Sequence, residues 1–303
     1  MKHSMQKLQE AVKQFGPLCV GLDTDPSYIP ENILKNYSSS ADAVLAYNLA
    51  LIERIKQDES AACFKIQIAY YEAMGLAGME VYAKTLKAVK DAGFIAISDV
   101  KRGDIAATAG AYAKAHFTGD FESDIITINP YMGFDTLKPF AEYTATQKGS
   151  KGMFVLLRTS NPGMTDIEQQ ELKSGGRVLD RVGEELNSIY NESLLEYPEE
   201  ECSPVGAVVG CTEESDARYL RDTYPNIFFL IPGYGAQGGA AKICGILLQK
   251  CGGTVNSSRG ILCAWKKDIA LDEKRNSGIL TMQDIINSSA KAALSSKKEL
   301  MSF

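Results

Sequence analysis

The chain has 303 residues, 45% of them hydrophobic, enough to bury a substantial core as one large α/β barrel or two ordinary domains. A formal net charge of −6 without a basic stripe argues against a nucleic-acid or anionic-membrane partner.

Taken in order, residues 4–14 carry a helical pattern (Met5, Leu8, Val12) that ends near Gly16-Pro17. The first apolar strand is Leu18–Leu22, followed by Asp23-Thr-Asp25-Pro26 and a helix with apolar positions Val44, Leu45, Leu49, Ile52 and Ile55. Ala61–Gln67 is the second strand, interrupted by Lys65, and a helix over about 78–91 stops at Gly93. The third strand runs from Phe94 into Asp99-Val-Lys101-Arg-Gly103-Asp104, with its helix at about 104–116. Asp124–Pro130 is the fourth strand, with a helix near 135–147, and Gly152–Leu157 the fifth, ending in Arg158-Thr-Ser160-Asn-Pro-Gly163. An insertion of about 164–203 includes a helix near 175–195. Val205–Gly210 is the sixth strand, with a helix near 213–222, and Ile227–Ile231 the seventh, with a helix near 238–250. Thr254–Arg259 is the eighth strand, and a last helix covers about 281–297.

Eight strand–helix units with near-continuous apolar strands predict a parallel sheet buried on both faces. In this length they fit a single-domain (β/α)₈ TIM barrel with surface insertions better than a flavodoxin-like open sheet. The polar stretch 266–279 reads as a further surface insertion. The seven cysteines (Cys19, Cys63, Cys202, Cys211, Cys244, Cys251, Cys263) show no Cys-x-x-Cys spacing and read as buried thiols in a reducing compartment, not disulfides or zinc ligands. With only His3 and His116, neither a histidine metal site nor a Ser-His-Asp triad is expected, and His116, late in a helix, reads as structural. No signal-peptide core and no run near the ~20 residues of a membrane span is present, so a cytoplasmic protein is expected.

Barrel chemistry sits at the C-terminal strand ends, and there the out-of-place residues fall: Asp23, Lys65, Asp99, Lys101, Ser160 and Arg259. Asp99 and Lys101, two apart, share a strand face, whereas Asp104 lies beyond Gly103. Unit charges 4 Å apart interact by roughly 4 kcal/mol at a near-surface dielectric, so such a cluster needs either good pairing or a use. Singly, each has a plainer reading: Lys65 as a snorkelling side chain, Asp23 as a turn cap, Ser160 as loop chemistry. Convergence from several strands on one mouth does not. Pro232-Gly-Tyr-Gly-Ala-Gln237-Gly238-Gly239 with Arg259 makes an anion site after strands seven and eight, where backbone N–H groups and a guanidinium grip phosphate. A dinucleotide reading of its glycines is poor, because no acidic strand end follows about twenty residues on.

With Lys65, Asp-x-Lys-x-x-Asp at 99–104, the Pro-Gly-x-Gly-x-Gln-Gly-Gly loop and Arg259, most of the chain resembles the orotidine 5′-phosphate decarboxylase family, in its longer-chain, type 2-like branch. The Asp-x-Lys-x-x-Asp motif is shared with magnesium-dependent sugar-phosphate decarboxylases and aldolases on related barrels, but Asp23 with Pro26 and Pro232 with the Gln237 loop match the orotidine enzymes. The resemblance implies that Lys65, Asp99, Lys101 and Asp104 form a catalytic charge network in a homodimer, with Asp104, Ile105 and Thr108 contributed by the second subunit. It implies that Asp23 and Lys65 hold ribose hydroxyls and that Ser160 faces the pyrimidine. Gln237, Gly239 and Arg259 would hold the phosphate, with Pro232 and Gly238 completing the substrate-binding set.

Removing CO₂ from C6 of a pyrimidine leaves a vinyl carbanion without an adjacent electron sink, a task usually given to pyridoxal phosphate, thiamine or a metal. The sequence carries no motif for these, and the resemblance implies a cofactor-free, metal-free enzyme of UMP biosynthesis in which Lys101 protonates C6. The competing readings are the magnesium-dependent relative and a non-catalytic sensor that keeps the nucleotide-phosphate pocket.

Overall fold

Each apolar run forms a strand that pairs in parallel with its successor until the eighth closes on the first. A computed structural model describes residues 2–210, 212–234 and 239–303. The strands are β1 (Leu18–Gly21), β2 (Cys63–Gln67), β3 (Ile95–Arg102), β4 (Ile125–Ile128), β5 (Gly152–Arg158), β6 (Val205–Val209), β7 (Phe229–Ile231) and β8 (Gly253–Ser257). Closure joins β1 to β8 through Leu18–Val255, Cys19–Asn256 and Val20–Ser257. The expected single-domain (β/α)₈ barrel is therefore what forms.

The main helices are α1 (Ser4–Phe15), α2 (Ser40–Gln57), α3 (Gly75–Asp91), α4 (Ala106–Phe117), α5 (Val178–Ser193), α6 (Glu214–Thr223), α7 (Gly239–Leu247) and α8 (Met282–Leu300). Helix α2 starts before its apolar stripe because the Ser39 hydroxyl accepts from Asp42 N at 3.1 Å. Thr281 and Asp284 close a reciprocal capping box at the start of α8.

Two apolar layers follow from strand alternation. The outward faces pack under the helices in the main core. Inward, Cys19, Cys63, Ile97, Ile125, Phe154, Val208 and Leu230 fill the barrel, and Met5 and Leu8 of α1 plug its N-terminal end. Two residues further along β2, β3 and β4 the same inward direction is taken by Lys65, Asp99 and Thr127, so a dry floor underlies the polar mouth.

Three expectations are corrected. The helix near 135–147 is broken into 3₁₀ turns at Phe134–Leu137, Glu142–Thr144 and Thr146–Lys148 around a four-residue helix, Lys138–Ala141. Pro139 lacks an N–H, and the Thr136 and Thr144 hydroxyls donate to Gly133 O and Ala141 O, competing with helical bonding. The eighth strand stops at Ser257, and Arg259 instead opens a short helix, Arg259–Leu262. The cysteines are not all thiols: Cys202 and Cys251 are disulfide-bonded, Cα atoms 5.9 Å apart. They precede β6 and β8, the strands on either side of β7, and lie 49 residues apart in sequence. Cys19, Cys63 and Cys244 are buried thiols, Cys263 is half-buried, and Cys211 lies outside the described residues.

Candidate active site

The Lys65 ammonium, 4% exposed, leaves β2 between two carboxylates, 3.1 Å from Asp23 Oδ1 and 3.0 Å from Asp99 Oδ2. Burial disfavours its charge, but Asp23 and Asp99 more than offset this and raise its pKa far above the ordinary lysine range. Asp99, 6% exposed, is likewise opposed by burial, yet Lys65 and Lys101 hold its carboxyl well below the usual carboxylate range. Lys101 Nζ reaches Asp99 Oδ1 at 2.6 Å while its side chain stays 45% exposed. The result is a buried carboxylate between a buried ammonium shared by two carboxylates and a half-exposed one with a single carboxylate partner.

Simple alternation does not deliver this geometry. The register of β3 against β4 shifts between Ser98 and Arg102, and Lys101 adopts φ +44°, a left-handed conformation that costs a non-glycine residue on the order of 1 kcal/mol. Thr127, unflagged in the sequence, stabilises the distortion. Its Oγ1 accepts from Val100 N and Lys101 N, both at 2.9 Å, and donates to Asp99 Oδ1 at 2.9 Å. One hydroxyl has one donor and two acceptor sites, and all are used. Its signal is a lone hydroxyl in Ile125-Ile-Thr127-Ile.

Ser258 was also missed. Its hydroxyl donates to Asp23 Oδ2 at 2.7 Å and accepts from Asn256 Nδ2 at 3.1 Å. Gly21 makes room: a Cβ there would lie 2.0 Å from Ser258 Oγ and 2.8 Å from Asn256 Oδ1. The run of three polar residues ending an apolar strand, Asn256-Ser-Ser258, is the available signal.

A cavity of about 200 Å³ opens over these charges, bounded by Leu156, Ser160, Val208, Leu230, Pro232 and Asn256. A wider hollow of about 650 Å³ adjoins it through Leu156, Thr159 and Asn161, lined mainly by apolar side chains such as Phe134, Met164 and Leu179. Size does not mark the chemistry; the charges do.

The structure thus brings Asp23, Lys65, Asp99 and Lys101 into one network and places Ser160 and Pro232 on its cavity wall. It does not bring Asp104, Ile105 or Thr108 into that network. Ile105 and Thr108 are exposed, and among the described residues Asp104 forms no ion pair, its carboxylate accepting only from Ile105 N at 2.8 Å. Arg259 is exposed, and its guanidinium makes no ion pair or hydrogen bond among the described residues. Gly239 opens α7, whereas Gln237 and Gly238 lie outside the described residues. His116 is buried beside Arg102, whose Nε donates to it at 3.4 Å, in keeping with a structural role. Among the described residues no group of His, Cys, Asp or Glu is arranged to hold a metal ion, and no helix is long and apolar enough to cross a membrane.

A family model described as orotidine 5′-phosphate decarboxylase / HUMPS family matches residues 16–267. An orotidine 5′-phosphate decarboxylase of Clostridium novyi (strain NT) is 49% identical over 286 residues, 92% of this chain and 96% of its own. One from Clostridium botulinum (strain Langeland) is 50% identical over 264 residues, 87% of this chain and 90% of its own. The solved structure of Leishmania donovani OMP decarboxylase superposes with a TM-score of 0.67 at 29% identity, covering 92% of this chain and 99% of that one.

Proposed function

Because the chain belongs to the orotidine 5′-phosphate decarboxylase / HUMPS family, we propose that it converts orotidine 5′-phosphate to uridine 5′-phosphate and CO₂, the last step of UMP synthesis. The observation that most supports this reading is the buried Asp99 carboxylate clamped by Lys65 and Lys101, with the Lys101 ammonium facing an open cavity.

The C6–CO₂ bond breaks with its electron pair left on C6. The Lys101 ammonium, aimed by Asp99, stabilises that pair and then gives C6 a proton, and the neutral amine regains one from water. Asp99 is anchored before substrate arrives, so little reorganisation accompanies the charge shift. Asp104, Ile105 and Thr108 complete the site of the partner in a homodimer. The exposure of Ile105 and Thr108, and an Asp104 carboxylate without an ion pair among the described residues, support this. Carboxylate repulsion against the substrate, relieved as CO₂ leaves, at a few kcal/mol gives about two to three decades of rate. Asp23 and Lys65 hold ribose hydroxyls, with Thr108 of the partner subunit. Ser160 meets the pyrimidine, beside Pro232. Arg259, the N-terminus of α7 at Gly239, Gln237 and Gly238 grip the phosphate, whose remote binding energy favours closure and desolvation at C6. The enzyme needs no cofactor or metal and works in the cytoplasm, without nucleic-acid or membrane partners.

The test is loss of orotidine 5′-phosphate absorbance with excess chelator present. Turnover to uridine 5′-phosphate is expected; activity on sugar phosphates only after magnesium is restored would overturn the reading, as would tight product binding without turnover. For the shared site, Lys101→Ala and Asp104→Asn chains, each inactive, are mixed and allowed to exchange. In a two-fold dimer, half the molecules are mixed and each has one intact site, so about a quarter of wild-type activity returns. No recovery despite proven exchange would place Asp104 in its own subunit's site.

A further inference from the structure

Arg158 ends β5 with 1% exposure, immediately before Thr159 and Ser160. A buried guanidinium needs acceptors; the loop after β5, Thr212 and α6 supply them to Nε and Nη1, while Nη2 has no partner among the described residues. Arg158 Nε donates to Asp216 Oδ2 at 3.2 Å, and Nη1 donates to Thr159 O at 3.0 Å and to the Thr212 hydroxyl. Asp216 is itself held from the insertion, accepting from Arg177 Nη1 and Gln169 Nε2, both at 3.1 Å. Glu168 clamps the loop from the other side: its Oε2 accepts from Thr159 N at 2.8 Å and its Oε1 from Thr159 Oγ1 at 2.7 Å. Behind the loop stands Gly210, where a Cβ would lie 2.9 Å from both Cα and Cβ of Ser160. Ser160 is thus pinned through Thr159 on one side and packed on bare backbone on the other.

We infer that the β5–β6 insertion serves as a brace for the base-binding loop, with Glu168, Asp216 and Arg158 as positioning residues that set Ser160 against the pyrimidine. This rests on the function proposed above. Neither Glu168 nor Asp216 borders the 200 Å³ cavity, so both act through Thr159 and Arg158. A fixed hydroxyl favours the base-bearing ligand, because a loop free to move must be ordered on binding.

The test compares uridine 5′-phosphate with ribose 5-phosphate, which lacks the base, by calorimetry on the intact protein. Glu168→Ala is expected to weaken uridine 5′-phosphate about tenfold and ribose 5-phosphate by less than about twofold. In a Ser160→Ala background the Glu168→Ala effect on uridine 5′-phosphate should vanish. Asp216→Asn should act in the same direction; if it does not fold, Glu168→Ala decides alone. Equal weakening of both ligands, an effect undiminished without the Ser160 hydroxyl, or no effect would each overturn the inference. Wild-type decarboxylation is the separate control: its absence refutes the proposed function, whereas normal turnover with an inert Glu168→Ala refutes only the brace.

Discussion

The two ends of the barrel contrast a buried cation with every donor bonded and exposed cations with donors left open. At the N-terminal end Arg221, 1% exposed, donates five hydrogen bonds to the carbonyls of Leu247, Tyr224, Ile227 and Gly252 and lies 3.7 Å over the Phe229 ring. All five guanidinium donors are engaged. Nearby, His3 accepts from Gln6 N and donates to Cys202 O, each at 3.1 Å, and Gln9 donates to Cys251 O at 2.9 Å beside the disulfide. At the C-terminal end Lys101 has one carboxylate partner and Arg259 none among the described residues. Saturated donors hold a fold; donors left open at a cavity are free to meet a ligand. The same residue chemistry is stability at one end and reactivity at the other.

The contrast is most sharply tested at Lys101. Lys101→Ala should lower turnover by at least about 10³-fold, the general-acid and electrostatic roles being lost together. The melting temperature should barely move, because the side chain is half exposed; near-normal turnover would remove Lys101 from the chemistry. Arg221→Met should do the reverse. Freed carbonyls at a buried site cost about 1–3 kcal/mol each in the extreme, so a loss of about 3 kcal/mol or more in denaturant unfolding is expected, with kcat per folded molecule unchanged. A fall in kcat without a fall in stability would blur the division between the ends.

The smallest effect concerns pH. Burial lowers the pKa of both His3 and His116 to about 4. Their folded pKa values are depressed, so the neutral forms are favoured, and the stability they contribute is present above about 6.5 and lost as pH falls from there toward 4. Each histidine contributes a slope of up to about 1.4 kcal/mol per pH unit across that window. His3→Asn, which can still cap α1, should flatten the acid limb of melting temperature against pH. An unchanged limb would assign acid sensitivity elsewhere.

The sequence by itself determined the alternation of eight strands and their helices, because apolar periodicity and glycine or proline stops are local properties of the chain. It also placed Asp23, Lys65, Asp99, Lys101 and Ser160 at strand ends, since charge at the end of an apolar run is visible without coordinates. Tertiary structure decided the rest. Thr127 and Ser258 became anchors of Asp99 and Asp23 only when barrel closure set the registers of β3 against β4 and β8 against β1. The left-handed turn at Lys101 arises from a bulge that needs a neighbouring strand to exist. The Cys202–Cys251 bond and the Arg158–Asp216 brace join residues 49 and 58 positions apart. Such pairings depend on how the closed barrel arranges its strand ends and helices, and no periodicity of 2 or 3.6 records that.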